Sequence, residues 1–327
     1  MKLIIQIPCF NEAETLPVAL KELPRSVPGF SIVEWLIIND GSTDATEEVA
    51  RAHGVDHIVN FTKNQGLARG FLAGLDACIK LGADVIVNTD ADNQYMAADI
   101  PLLTAPILAG TADVVIGTRP IDAIDSFSPL KKLLQKAGSA VVRFVSKTSV
   151  PDAPSGFRAM AREAAMHFNV FNDYTYTLET IIQAGQKNIA ITSVPVRVNP
   201  ELRPSRLVKG IPDYIKKSIV TIIRIFVVYK AFRFFMSVGI CSFGFGFLVG
   251  LRFLYYYLSG NGSGHIQSLV LASILLGVGF QTMLTAFLAD LLAVNRRLME
   301  DVQYRIKTLE IKSNEDVAQM PRKTIRE

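Results

Sequence analysis

At 327 residues, with 50% hydrophobic and 20% charged side chains and a mean hydropathy of +0.29, the chain is too apolar for an ordinary soluble domain and is neither disordered nor fibrous. The net charge of +4 is unevenly spread: residues 1–200 carry 17 basic and 21 acidic side chains, residues 201–250 carry 8 and 2, and the remainder 9 and 7. The positive excess is a local band just before the most apolar stretch, which argues against a nucleic-acid-binding surface.

The first element is a strand-like run from Leu3 to Ile7, closed by Pro8, and the chain enters it straight from Met1 and Lys2, so no signal peptide is expected. A helix is predicted from about Ala13, a strand over WLIIN at 35–39, a helix from about Ala45, and further strands over Asp84–Thr89 and Asp113–Thr118. Strands alternating with helices predict an α/β domain with a mostly parallel sheet over residues 1–210. Cys9, Cys78 and Cys241 are far apart and form no C-x-x-C pair, so a zinc site or disulfide framework is not expected and a reducing, cytosolic setting fits.

Residues 211–231 read as a juxtamembrane helix in the membrane interface, with Asp213, Lys217 and Arg224 on one face. No charge interrupts Phe234 to Leu251, or Ile266 to Ala289, and a Gly/Ser loop at Ser259–Gly264 joins the two stretches. Extended past Arg252 through FLYYYL, the first stretch is long enough, as is the second, at about 1.5 Å per residue, to cross roughly 30 Å of hydrocarbon. Residues 232–294 are therefore predicted to be a two-helix transmembrane hairpin. Lys and Arg flank it but are absent from its loop, which puts both termini and the main domain on the cytoplasmic side. Arg252 counts against the first span unless it snorkels or pairs. Residues 295–327 read as a cytoplasmic helix grading into a loose tail.

In an open parallel sheet, ligands bind beyond the carboxyl ends of the strands. There the sequence places PCFNE (Pro8–Glu12), NDGSTD (Asn39–Asp44) and DADNQY (Asp90–Tyr95), while dinucleotide and P-loop glycine motifs are absent. Asp90 and Asp92, two apart in a loop, suit Mg²⁺ or Mn²⁺ bridging to a diphosphate. Asp44, three residues before Glu47, reads as a helix N-cap rather than a site residue.

These three segments resemble the signature of glycosyltransferase family 2 on the GT-A fold. GTR at 117–119, DAPSGFRAM at 152–160 and VPVRVNPELRPSRL at 194–207 narrow the resemblance to the polyprenyl-phosphate glycosyltransferases, closest to bacterial members that use UDP-glucose. The resemblance implies that Pro8, Glu12 and Asp40 contact the nucleoside and that Asp90, Asp92 and Gln94 hold the metal and diphosphate. It further implies that Arg119, Arg203, Ser205 and Arg206 meet the diphosphate and the lipid phosphate, and that Asp152 is a catalytic acidic residue beside Arg158 at the acceptor. Glu12 also reads as a helix N-terminal acid, the three residues at 203–206 as a lipid-facing basic band, and Glu179 as a surface helix residue. Asn39 departs from the family's commoner Asp at that position. A phosphate monoester is largely dianionic at pH 7, so a strong base is not required and Asp152 is equally suited to orienting Arg158 or the acceptor.

The implied activity is metal-dependent, inverting transfer of a hexose, most simply glucose from UDP-glucose, to polyprenyl phosphate at the membrane. A GDP-mannose-using mannosyltransferase and a catalytically silent membrane adaptor are the alternatives, and a homo-oligomer is left open. A processive polysaccharide synthase is excluded because the only tryptophan, Trp35, lies inside a strand and no Q-x-x-R-W occurs.

Overall fold

A computed structural model describes the chain except for residues 122–128, 171–175, 201–210, 261 and 320–327. It divides into two compact units: Met1–Ser218 with Tyr304–Glu327, and Ile219–Gln303.

In the first unit, among the described residues, seven strands form one sheet: β1 (Lys2–Cys9), β2 (Ile32–Asn39), β3 (His57–Asn60), β4 (Val85–Asn88), β5 (Val114–Thr118), β6 (Arg158–Ala161) and β7 (Ile191–Pro195). Their order is β3-β2-β1-β4-β6-β5-β7. All pairs are parallel except those made by β6, which runs antiparallel to β4 and β5. The runs LIIQI and LII are buried because helices cover both faces of a parallel sheet. Each buried Leu, Ile or Val contributes roughly 1.5–3 kcal/mol.

The covering helices are α1 (Leu16–Glu22), α2 (Thr46–Ala52), α3 (Leu67–Lys80), α4 (Ile100–Leu108), α5 (Pro129–Ser146), α6 (Arg162–Met166) and α7 (Thr177–Gln186). In α3, Ala68, Phe71, Leu75, Cys78 and Ile79 recur at helical spacing and are buried. Pro17 and Pro101 sit in the first turns of α1 and α4, where proline removes no intrahelical bond.

The predicted strands and both early helices are present, and α2 refines one expectation. Its N-cap is Ala45, and Asp44, one residue earlier, accepts from Thr46 N at 3.1 Å and from Ala13 N at 3.1 Å. Asp44 thus stitches two loops together as well as satisfying the helix start. The sheet edge that matters is set by register: Pro8 pairs with Ile38, Thr118 with Pro195, and Asn88 with Arg158 on the antiparallel strand. The carboxyl ends of β1, β2, β4, β5 and β7 and the amino end of β6 therefore share one edge.

The helix α8 (Ile211–Tyr229) passes from the first unit into the second. The second unit holds α9 (Ala231–Leu258) and most of α10 (Ile266–Gln319), two helices long and apolar enough to cross a membrane. Only 11% and 17% of their most apolar windows are buried, which disfavours a pair of core helices in a soluble bundle. They approach closely at small residues: Gly239 and Gly246 are buried, and Ser242 Oγ donates to Leu275 O at 3.1 Å. Arg252 lies 5.8 Å from the Tyr256 ring centroid, one turn nearer the helix end, so its charge has an aromatic neighbour.

Candidate active site

The first two loops are cross-tied by short-range polar chemistry. Asn11, at φ +54°, accepts from Thr43 N at 2.8 Å, and its own N–H donates to Ser42 Oγ at 3.0 Å. Glu12 is buried; its N–H donates to Thr46 Oγ1 at 2.9 Å, and its Oε2 accepts from Thr15 Oγ1 at 2.6 Å. Pro8 is the partly buried penultimate residue of β1. Asn39, where the family more often has Asp, accepts from Ser42 N and donates to Asn60 Oδ1, so it closes the loop that carries Asp40.

Asp40 is buried and accepts from the backbone N–H groups of Gln65 at 2.7 Å and Gly66 at 2.9 Å. The loop before α3 thereby joins the edge. No sequence motif singled out Gln65 or Gly66; the signal was a glycine immediately before an amphipathic run.

Asp90 and Asp92 follow β4. Asp92 Oδ1 accepts from Gln94 N at 3.1 Å, folding DADNQ into a turn with Asn93 at φ +56°. Burial, then the neighbouring Asp92, push the Asp90 carboxyl up to about 7, against the pull of Arg119 and Arg158. Among the described residues, no three His, Cys, Asp or Glu side chains converge as a metal cage. The donor set nevertheless fits Mg²⁺ or Mn²⁺: such ions take one or two carboxylates and complete their shell with substrate phosphates and water, and a cation would relieve the repulsion raising Asp90.

Beneath Asp90 lies a buried network that the motifs did not announce. Gln6 Nε2 donates to Asn88 Oδ1 at 2.9 Å, and Asn88 Nδ2 donates to Gly156 O at 2.9 Å and to the Tyr176 hydroxyl at 2.8 Å. Tyr176 stacks on Phe71 at 3.8 Å, and the Tyr95 hydroxyl accepts from Gly156 N at 3.0 Å. The readable signal was an amide, Asn88, at the end of an apolar strand.

Arg119, at the end of β5, is buried against Asp152 in a two-pronged pair: Nε to Oδ2 at 2.8 Å and Nη2 to Oδ1 at 3.0 Å, with Arg119 N also donating to Oδ2. Both Asp152 oxygens are thus engaged by Arg119, not by the expected partner Arg158. Arg158 is fully buried and donates to Thr180 Oγ1 at 2.6 Å, Thr177 O at 3.3 Å and Ser155 O. Glu179, read as a surface residue, is buried on α7.

Arg203, Ser205 and Arg206 lie outside the described residues. The chain leaves for that segment from the acidic loop: Asn199 N donates to Gln94 O at 2.8 Å, its Nδ2 donates to Asn93 O at 3.1 Å, and Arg197 is held by the buried Asp99.

Residues 4–168 match the family model for glycosyl transferase family 2, and the chain belongs to that family. It is a glycosyltransferase by descent and fold. The chain is 27% identical over 222 residues to undecaprenyl-phosphate mannosyltransferase of Micrococcus luteus, covering 64% of this chain and 89% of that one. It is also 30% identical over 201 residues to bactoprenol glucosyl transferase of Shigella phage SfV, covering 58% of this chain and 62% of that one. In fold it resembles glucosyl-3-phosphoglycerate synthase of Mycobacterium tuberculosis, crystallised with Mn²⁺, UDP-glucose and phosphoglyceric acid, with a TM-score of 0.55 at 19% identity over 69% of this chain and 78% of that one.

Proposed function

We propose that the protein transfers a hexose from a nucleotide sugar, with UDP-glucose the favoured donor, to polyprenyl phosphate at the cytoplasmic face of a membrane. The observation that carries this reading is the assembly, at one sheet edge, of three acidic loops and Arg119 in a chain that also has two helices apolar enough to span a bilayer. Both relatives described above are named for transfer to lipid carriers of this class.

In this reading Pro8, Glu12 and Asp40 line the nucleoside site, and the Asp40 carboxylate, already fixed by two backbone donors, has lone pairs left for a base N–H. Asp90, Asp92 and Gln94 hold Mg²⁺ or Mn²⁺ and the diphosphate. The bound cation would supply charge neutralisation for the departing diphosphate. Arg203, Ser205 and Arg206 meet the acceptor phosphate. A lipid phosphate oxygen attacks the anomeric carbon, the bond from that carbon to the diphosphate oxygen breaks, and configuration inverts. The nucleophile is anionic before it binds, so the residues chiefly orient and neutralise. Asp152 serves by holding Arg119 in place, and Arg158 by ordering the interior behind Asp90.

The domain assignment is part of the proposal: residues 1–210 catalytic, 211–231 juxtamembrane, 232–294 a transmembrane hairpin and 295–327 a cytoplasmic tail. Tyr304, Lys307 and Glu310 pair with residues of α3 and α6, which supports a C-terminus on the side of the catalytic unit.

A mannosyl donor is the second reading, favoured by the name of the Micrococcus relative. Labelled-sugar transfer into a lipid-extractable product, with UDP-glucose beside GDP-mannose, separates the two. Asp92→Asn should lower transfer at least about 100-fold. No product from any of a panel of nucleotide sugars, with folded protein and acceptor present, would leave the silent adaptor as the better reading.

A further inference from the structure

Tyr176, the residue that leads into α7, is buried and its ring is held by two neighbours: it stacks on Phe71 at 3.8 Å, and the Arg158 guanidinium lies 5.2 Å from its centroid. A large aromatic side chain packed in this way keeps one rotamer, so its hydroxyl has a set place. The direction of each hydrogen bond around that hydroxyl is forced. Gly156 O can only accept, so the Asn88 atom facing it is the amide nitrogen, whose second hydrogen goes to Tyr176 Oη. Gln6 Nε2 completes the pattern by donating to Asn88 Oδ1. Tyr176 Oη is thus an acceptor toward Asn88 and still has one proton to give. Among the described residues no acceptor for that proton lies in direct hydrogen-bond range.

The carboxylate within reach is Asp90. The space beside the Gly156 Cα, where a side chain would begin, is 2.9 Å and 3.1 Å from the two Asp90 oxygens and 3.1 Å from Tyr176 Oη. Hydroxyl and carboxylate are therefore no more than about 6 Å apart, the span of two O–H···O bonds through one water. Glycine keeps that space open, and its peptide groups are pinned on both sides, N–H to the Tyr95 hydroxyl and carbonyl to Asn88. Asp90 has room for such a bond: Asp92 accepts from Gln94 N, but among the described residues no N–H or O–H donates directly to the Asp90 carboxylate.

We propose that Tyr176 is a positioning residue for the cation site: through one ordered water its hydroxyl donates to Asp90 and fixes the orientation of that carboxylate. Carboxylates that ligate metals are held by outer hydrogen bonds of this kind. Gln6 on β1, Asn88 on β4 and Tyr176 before α7 then form one line of donors running through the sheet interior to Asp90. The inference rests on the reading of Asp90 and Asp92 as cation ligands and adds to it a residue that touches neither cation nor substrate.

The test is Mn²⁺ binding to the full chain in detergent, without sugar nucleotide, measured by electron paramagnetic resonance beside the melting temperature. Tyr176→Phe keeps the ring and removes only the hydroxyl, and it should weaken Mn²⁺ binding about tenfold. Combined with Asn88→Ser it should weaken binding no more than about twofold beyond the worse single variant, because both interrupt one path. Mg²⁺ should also perturb the near-ultraviolet tyrosine absorbance of the unaltered chain, a signal that Tyr176→Phe removes and that a tyrosine serving only to pack would not give. A folded Tyr176→Phe with unchanged Mn²⁺ affinity, whatever its melting temperature, would overturn the proposal. So would single effects that multiply in the double variant, or a Mg²⁺ signal that survives in Tyr176→Phe. Where Tyr176→Phe does not fold, Asn88→Ser alone carries the same tenfold expectation and the same refutation. Asp92→Asn controls for the underlying reading. If it binds Mn²⁺ as tightly as the unaltered chain, the cation site itself is misassigned; binding lost in Asp92→Asn but intact in Tyr176→Phe removes this inference alone.

Discussion

Gly156 stands where any side chain would crowd the carboxylate of Asp90: a Cβ built there would lie 2.9 Å from Oδ2, 3.1 Å from Oδ1 and 3.1 Å from the Tyr176 hydroxyl. Gly156→Ala should therefore push Asp90 off its position at a cost in stability of about 1–3 kcal/mol. The expected result is a folded protein with a lower melting temperature that needs several-fold more Mn²⁺ for half-maximal transfer, and an unchanged Mn²⁺ requirement would refute it. Asp90 also sets a pH dependence. Its folded value of about 7 lies above the unfolded value near 3.9, so the metal-free protein is favoured by the protonated form, and that contribution fades as pH rises through about 7. Metal binding needs the ionised form and runs the other way. Mn²⁺ affinity measured by electron paramagnetic resonance should rise between pH 5.5 and about 7 and then level off, and Asp90→Asn should remove that rise. At this scale the acidic side chains were legible because they follow apolar runs, whereas the Arg119–Asp152 pair, 33 residues apart in sequence, depends on an antiparallel strand that spacing did not reveal.

Elements were legible in proportion to their apolar length. The runs in β1, β2, β4 and β5 each contain several successive buried aliphatic residues, so they stand out. HIVN in β3, RAMA in β6 and ITSVP in β7 are only four or five residues long and mix polar with apolar side chains, a pattern that local periodicity does not separate from loop. They become strands because neighbouring backbones offer hydrogen-bond partners. The apolar hairpin was visible from composition, but its close packing was not. A Cβ at Gly279 would lie 2.6 Å from Phe243 N and 2.8 Å from its Cα, so only glycine lets the two backbones meet there. Gly279→Leu should force α9 and α10 apart and, by overpacking, cost about 1–3 kcal/mol. Thermal unfolding in detergent should shift downward, while Gly277→Leu, at a position with open space, should be close to neutral.

At the scale of the whole molecule, α10 is one helix of 54 residues whose first part belongs to the apolar unit and whose last part belongs to the catalytic unit. The sequence shows where its apolar stretch ends, at Asp290, but not that the mixed-charge region beyond continues as the same helix and acquires partners. Those partners are specific. The Tyr304 ring stacks on His167 at 4.0 Å, its hydroxyl pairs with Glu163, and Lys307 reaches Asp76 of α3 at 2.9 Å. The other end of α3 begins next to Gly66, whose N–H is held by Asp40, so one helix of about 21 Å links the C-terminal clasp to the proposed nucleoside site. The clasp and the site are nevertheless anchored by different bonds. The two backbone hydrogen bonds to Asp40 fix the start of α3 without help from α10. The ion pair is part-exposed and worth under about 1 kcal/mol, while the stacked ring contributes about 0.5–1.5 kcal/mol beyond the area it covers. Tyr304→Ala should therefore lower the melting temperature of the catalytic unit by a few degrees, more than Lys307→Ala, and leave UDP affinity within about threefold. Calorimetric unfolding and UDP titration of the full chain measure the two quantities separately. A loss of UDP affinity as large as that from Asp40→Asn would mean that α3 transmits the state of the clasp to the site instead of standing between two independent anchors.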